Sequence, residues 1–150
     1  MEANIWTKNY PKQVSPTIDM TQYENILDVF DESVRKFRNK PAFSNFGCEI
    51  TYNQLDVMSG QFASYLQHTL GLKKGDRIAI QLPNVVQFPI VMFGALRAGL
   101  IVVNTNPLYT APEMKHQFND SGATTIVILA QFAHLLEKIL PETGIKNIVV

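Results

Sequence analysis

The stretch "VVQFPIVMFGALRAGLIVVNTNPLYT", Val85 to Thr110, constrains this chain more than any other. Its length invites a membrane-spanning reading, because a spanning helix needs roughly 20 predominantly apolar residues. Its composition argues against one. Arg97 would lie in the hydrocarbon at a cost of about 2.5–3.5 kcal/mol, and Gly99 just beyond it is a helix-stop signal. The run is therefore read as a buried helix, Val85 to Ala98, feeding a buried strand, Leu100 to Val103, in the middle of a sheet.

The flanking residues supply the rest of that architecture. Ile26, Leu27, Phe30, Val34 and Phe37 recur at helical spacing, which predicts a helix from Asn25 to Arg38 with Asn25 as its cap. The runs "AFSNF" and "EITY" flank Gly47 and predict a short hairpin. Asn53 is the expected cap of a second helix, with Leu55, Met58, Phe62, Tyr65 and Leu66 on its apolar face and an end at Gly71. A strand from Arg77 to Leu82 follows. Thr110 and Glu113 form a capping box for a helix that turns Met114 and Phe118 inward and stops at Gly122. Thr124 to Leu129 reads as a strand, Ala130 to Leu140 as a helix closed by Pro141, and Ile148 to Val150 as the start of another strand. Strands and helices joined by short connections predict an α/β fold with a mostly parallel sheet and right-handed crossovers.

Residues 1–24 are set apart as an N-terminal arm. Trp6 to Met20 holds two prolines and no period, so it is expected to run extended, with Trp6, Tyr10 and Val14 needing a groove on this chain or on a partner. Residues 25–150 form the α/β unit. Its last residues fall inside a predicted buried strand, so the chain is expected to be cut within a larger domain, before any catalytic core. At the other end, Glu2 and the lack of a long apolar core argue against a secretory signal, and the chain is expected to begin here.

Charge and cysteine content narrow the classes of partner. Lys plus Arg and Asp plus Glu each number 13, so there is no global attraction to nucleic acid or anionic lipid, and no nucleic-acid partner is expected. The single cysteine, Cys48, has no intramolecular partner, favours a reducing compartment, and reads as a strand-edge residue.

Familiar catalytic patterns are missing. "GALRAG", Gly94 to Gly99, has the outer glycines of a phosphate loop, but Leu100 and Ile101 stand where Lys and Ser or Thr would be required. No G-x-G-x-x-G or G-x-S-x-G occurs. His68, His116 and His134 fall in separate predicted helices without metal-ligand spacing. His134 and Lys138, one turn apart, read as a solvated face, although the pair has the spacing to hold an anion. Asp76 with Arg77, and Asp120 with Ser121, read as turn and cap residues. No catalytic, cofactor-binding or metal residue is assigned.

Ordered motifs carry what single residues do not. "ITYNQL", Ile50 to Leu55, resembles the leucine-threonine-tyrosine-x-x-leucine motif of adenylate-forming enzymes, the superfamily of acyl-CoA synthetases, luciferases and peptide-synthetase adenylation domains. "LRAGLIVVNTNPLYT", Leu96 to Thr110, looks like that superfamily's second core motif, and "GLKKGDRIAIQLPN" lies between them as it should. "NPLYT", Pro112-Glu113 and "NDSGA", Asn119 to Ala123, are similar to bacterial long-chain fatty acid-CoA ligases, over nearly the whole chain from about Trp6.

The resemblance implies the large N-terminal domain of a ligase using ATP, Mg2+ and coenzyme A. Such enzymes join a fatty acid carboxylate to the α-phosphate of ATP and then exchange AMP for coenzyme A. They hold phosphate with a Ser/Thr/Gly-rich loop ending in Pro-Lys-Gly, an acidic magnesium ligand and a lysine on a mobile C-terminal domain, none of which is found up to Val150. The isolated piece is thus expected to be inactive and to bind none of these ligands tightly. The resemblance further implies a homodimer and a cytoplasmic protein, at most peripheral at the inner face of the membrane. A coumarate-CoA ligase or luciferase relative, a dimerisation module and a stand-alone α/β protein remain alternatives.

Overall fold

The computed structural model describes residues 5–150. Its core is a parallel four-stranded sheet with helices on both faces, preceded by a helix and a small hairpin.

Helix α1, Ile26–Phe37, begins as the spacing predicts: Asn25 accepts from the Leu27 N–H at 2.8 Å, and Asp28 returns a bond to the Asn25 N–H. Strands β1, Pro41–Asn45, and β2, Cys48–Thr51, form the antiparallel hairpin, with Cys48 exposed at its turn. Phe46 and Gly47 both take positive φ in the turn, 48° and 78°. That is the twist a two-residue hairpin connection favours.

Helix α2, Tyr52–Ser64, is capped by Thr51 rather than by Asn53. Thr51 still lies in the β region and forms a reciprocal box with Gln54, which leaves Asn53 inside the first turn. The helix then relaxes into a π-turn, Tyr65–Thr69, before Gly71 stops it. The wider turn keeps Leu66 fully buried and leaves Tyr65, expected on the apolar face, 38% exposed.

The sheet is built from β3, Arg77–Gln81; β4, Ile101–Asn104; β5, Thr125–Ile128; and β6, Asn147–Val149. Its order is β4-β3-β5-β6, every pair parallel. Helix α3, Gln87–Arg97, carries the chain from β3 to β4, and α4, Ala111–Ser121, brings it back across β3 to β5. Helix α5, Ala133–Ile139, continued at both ends by single 3-10 turns, leads to β6.

Side-chain alternation divides the core. Ile78, Ile80 and Val127 pack with Leu66, Ala95 and Ala98 on the α2/α3 face. Ala79, Ile126 and Ile128 pack with Met114, Phe118 and Leu136 on the α4/α5 face. A third cluster, Phe30, Val34, Ile50 and Leu55, joins α1 to the hairpin and α2.

The strand after Gly99 is displaced from its expected place. It starts at Ile101 and lies at the sheet's edge, not its middle, with Ile101 47% exposed. Crossing first outward to β4 and then back past β3 makes β3 and β5 the central strands, and those two are buried almost throughout. Helix α3 likewise starts at Gln87: residues 83–86 form a tight turn closed by Val85 N to Pro83 O at 2.8 Å. Among the described residues no helix is long and apolar enough to cross a membrane.

The arm also differs from its reading. Ile5–Asn9 forms a 3-10 helix, and Val14 N bonds Pro11 O at 2.9 Å, so local turns replace an extended course. Residues 1–4 of the arm lie outside the described residues. Trp6, Tyr10 and Val14 remain 59%, 41% and 47% exposed.

Candidate functional site

In a doubly wound sheet, ligands bind beyond the carboxyl ends of the strands, where successive connections leave in opposite directions. Here that point lies between β3 and β5, and the loops around it are residues 82–86, 105–110 and 129–132.

The β4–α4 connection is held firmly at this end. Thr105, 4% exposed, donates its N–H to Ile80 O at 3.0 Å. Gln81 donates Nε2 to Asn106 O at 3.3 Å from the end of β3, and Gln117 donates Nε2 to Asn104 O at 3.0 Å from α4. Their amide oxygens are buried without a protein partner. Asn106 folds back to accept from Leu108 N at 3.0 Å, and Thr110 then opens α4. Thr110 donates both its N–H and its hydroxyl to Glu113, at 2.8 and 2.7 Å. These bonds, the hydroxyl's first, hold the Glu113 carboxyl below its ordinary range.

A cleft of about 250 Å³ opens between the hairpin and the start of α3, lined mainly by Phe43, Val85, Phe88 and Pro89. Asn45 donates Nδ2 to Asn84 O at 2.9 Å across it. None of the three loops carries a charged residue. The carboxyl end therefore offers amides, hydroxyls and an apolar cleft; it assembles no acid, base or nucleophile.

The residues weighed in the sequence fall elsewhere. "GALRAG" is helical up to Arg97, as its missing Lys and Ser or Thr required. Asp76 is a turn residue that accepts from Lys73 N at 2.7 Å. Ser121 accepts from Ala123 N at 3.4 Å past the end of α4, while Asp120 is exposed. His134 donates Nδ1 to Gln131 O at 3.0 Å, so that nitrogen is engaged with its own turn, and the histidines stay in separate elements. Among the described residues no group of His, Cys, Asp and Glu could hold a metal ion.

Arg97 does something the sequence reading missed. It does not cap its own helix; it reaches across to α2, donating to Asp56 O at 2.7 Å and to Ser59 Oγ at 3.0 Å and pairing with the Asp56 carboxylate. It also lies 3.6 Å from Asp31 and over the Phe30 ring at 4.9 Å, so one side chain ties α1, α2 and α3 together. Gly94 makes this approach possible: a Cβ there would stand 2.8 Å from Phe62 Cδ1 and 2.9 Å from Ser59 O. The signal was present in the sequence as an Arg and a small residue inside an apolar helix, but their partners on α2 lie roughly thirty to forty positions away.

This fold and the motifs on it have known counterparts. The model of the family described as AMP-binding enzyme matches residues 30–150, and the chain belongs to that family. It is 47% identical over 146 residues to a long-chain-fatty-acid--CoA ligase of Escherichia coli O6:H1, and equally so to one of Haemophilus influenzae. The first of these matches takes in 97% of this chain and 26% of the relative, so the chain spans about a quarter of the length of such relatives. Among solved structures, a long-chain-fatty-acid-CoA ligase from Archaeoglobus fulgidus superposes with a TM-score of 0.75 at 26% identity, over 82% of this chain and 26% of that one. An anthranilate CoA ligase bound to anthranoyl-AMP superposes with a TM-score of 0.80 at 24% identity, over 85% and 25%, and shares the fold.

Proposed function

We propose that this chain is the N-terminal part of an ATP-dependent ligase that activates long-chain fatty acids as acyl-AMP and passes them to coenzyme A. The observation that carries this reading is the 47% identity over 146 residues to long-chain-fatty-acid--CoA ligases. That identity favours this reading over the coumarate-ligase and luciferase alternatives.

Magnesium and the phosphates of ATP belong to that reaction, and the described residues do not fit either. No three candidate ligands come together, and the loops at the carboxyl end have no cation to meet phosphate. What these residues supply is a rigid layer whose uncharged carboxyl end forms one wall of the enzyme. The chain by itself, given ATP, Mg2+, palmitate and coenzyme A, will form no acyl-CoA, whereas the protein made from the complete gene will. Loss of free coenzyme A thiol reads both. A full-length protein that consumed no thiol with any fatty acid would overturn the proposal.

A second reading concerns assembly. Ile5, Trp6, Ile18 and Met20 of the arm are 59–85% exposed, which favours burial against a second copy. Light scattering on the chain with and without residues 1–20 tests this homodimer: a monomer with the arm attached, at high concentration, excludes it. We place the whole protein in the cytoplasm, peripheral to the membrane that holds its substrate.

A further inference from the structure

We propose that the tip of the β1–β2 hairpin and the apolar cleft at its base seat an uncharged, apolar segment of the same polypeptide from beyond Val150. This rests on the reading above of the chain as the N-terminal part of a longer ligase, because the matched residues make up 26% of the Escherichia coli relative.

Phe46 marks the place. Its side chain is 96% exposed, more than any other large apolar side chain among the described residues. A lone exposed aromatic is ordinary in a folded protein. This one is not, because Phe46 is also the residue other than glycine that takes a positive φ, 48°, among the described residues. A bulky side chain is a steric outlier in that region, and the first position of such a two-residue turn favours Asn or Asp. The hairpin therefore gives up stability at the position where it holds an aromatic ring out to solvent. Asn would satisfy the turn better, so Phe gains its advantage from an apolar contact outside residues 5–150.

The cleft of about 250 Å³ begins one residue from Phe46. Asn45 lines it and donates Nδ2 to Asn84 O at 2.9 Å, which fixes the hairpin to the loop that follows β3. Phe43, 42% exposed, with Val85, Phe88 and Pro89, supplies its walls, and no charged residue lines it. A ring held out to solvent and an apolar hollow thus stand side by side, next to the loop at the carboxyl end of β3. Size and charge select the occupant. Ligand pockets run from about 300 to 1,000 Å³, so this smaller hollow suits one or two large side chains. A carboxylate or ammonium would lose its hydration there without gaining a partner, so those side chains are apolar. A separate protein buries about 800 Å² on each side, more than a two-residue tip and one small hollow provide. A segment of the same polypeptide is held at high effective concentration and needs far less area.

The test uses the full-length protein. Chymotrypsin cuts after Phe, and an open hairpin tip is a preferred site of nicking. Cleavage between Phe46 and Gly47, read by mass spectrometry, is expected to be at least about tenfold slower in the native full-length protein than in the same protein unfolded in urea or in the chain of residues 1–150. Phe46→Asn is expected to lower the melting temperature of the full-length protein by about 3 °C, while Phe46→Leu, which keeps an apolar side chain, leaves it near wild type. In the chain of residues 1–150 the order reverses, and Phe46→Asn melts higher, because the turn is relieved and no contact is lost. Cleavage of the native full-length protein as fast as the unfolded one overturns the proposal, and so does a Phe46→Asn variant that melts higher in both. Protection that disappears on dilution, as light scattering reports a dimer giving way to monomer, assigns the tip to a second copy and overturns it too. Thiol consumption by the full-length protein is a separate measurement, so failure here leaves the ligase reading standing.

Discussion

Helix α3 and the N-terminal arm are both rich in apolar residues, yet one is locked into the protein and the other lies open. Helix α3 buries Val91, Gly94 and Ala95 and sends Arg97 across to Asp56 and Ser59. The arm makes local turns, with Tyr10 N bonded to Thr7 O, Val14 N to Pro11 O and Thr21 N to Asp19. The difference is regular helix. Continuous helical turns let α3, apolar on nearly every side, pack against both the sheet and α2, whereas the arm's prolines allow only short local turns.

The sharpest way to break this contrast is at the α2/α3 crossing. Gly94→Ala puts a Cβ into the backbone of Ser59 as well as the ring of Phe62, and backbone cannot swing aside. A loss of about 3 kcal/mol is expected, the upper end for overpacking, read from urea unfolding. A midpoint unchanged from wild type would mean the helices can separate freely.

Gly99→Val should cost less, about 2 kcal/mol, because φ at this position is +79° and a β-branched residue there is strained, with Lys74 close by. Arg97→Lys should cost about 1 kcal/mol, since an ammonium keeps the attraction to Asp56 but loses the fork that also reaches Ser59. Thermal melts rank the two, and the reverse order would show that the ion pair outweighs the turn.

The cap of α4 is finer still. Glu113 has a lowered pKa in the fold, so its contribution to stability is present above its ordinary unfolded value of about 4.5 and is lost as pH falls through the lower folded value. Thr110→Val removes the hydroxyl bond that leads this shift. The variant should therefore lose less stability than wild type between neutral and acid pH, and parallel pH curves would contradict the cap. Smallest of all, deleting residues 1–20 should leave the unfolding midpoint of dilute monomer within error, because Ile5, Trp6, Ile18 and Met20 leave most of their surface in solvent.

Elements whose cause is local were legible in the sequence. Asn25, Thr110 with Glu113, Gly99 and Gly122 act within a turn or two of where they stand, and each does what its chemistry prescribes. Asn53 misled because Thr51, two positions earlier, offered a better hydroxyl with Gln54 in reach. Strand order was not legible: "IVVN" at the edge and "IAIQ" at the centre differ too little in apolar content to say which is covered. The roles of Arg97 and Gly94 were hidden for another reason, since both depend on residues of α2 that only the folded chain brings near. Family membership, by contrast, was carried by the order of short motifs, and the match over residues 30–150 agrees with it.

The order β4-β3-β5-β6 has a consequence for a chain that is made from one end. Strand β3 is synthesised before every strand it pairs with, but α2 precedes it and α3 follows directly, so its α2/α3 face can be covered while the ribosome is still adding β4. Its other face must wait for α4 and α5. The residues on the early face are Ile78, Ile80 and Leu82, and those on the late face are Ala79 and Gln81. The strand is least sticky on the side that stays bare longest, which protects the nascent protein from pairing with its neighbours on the same message.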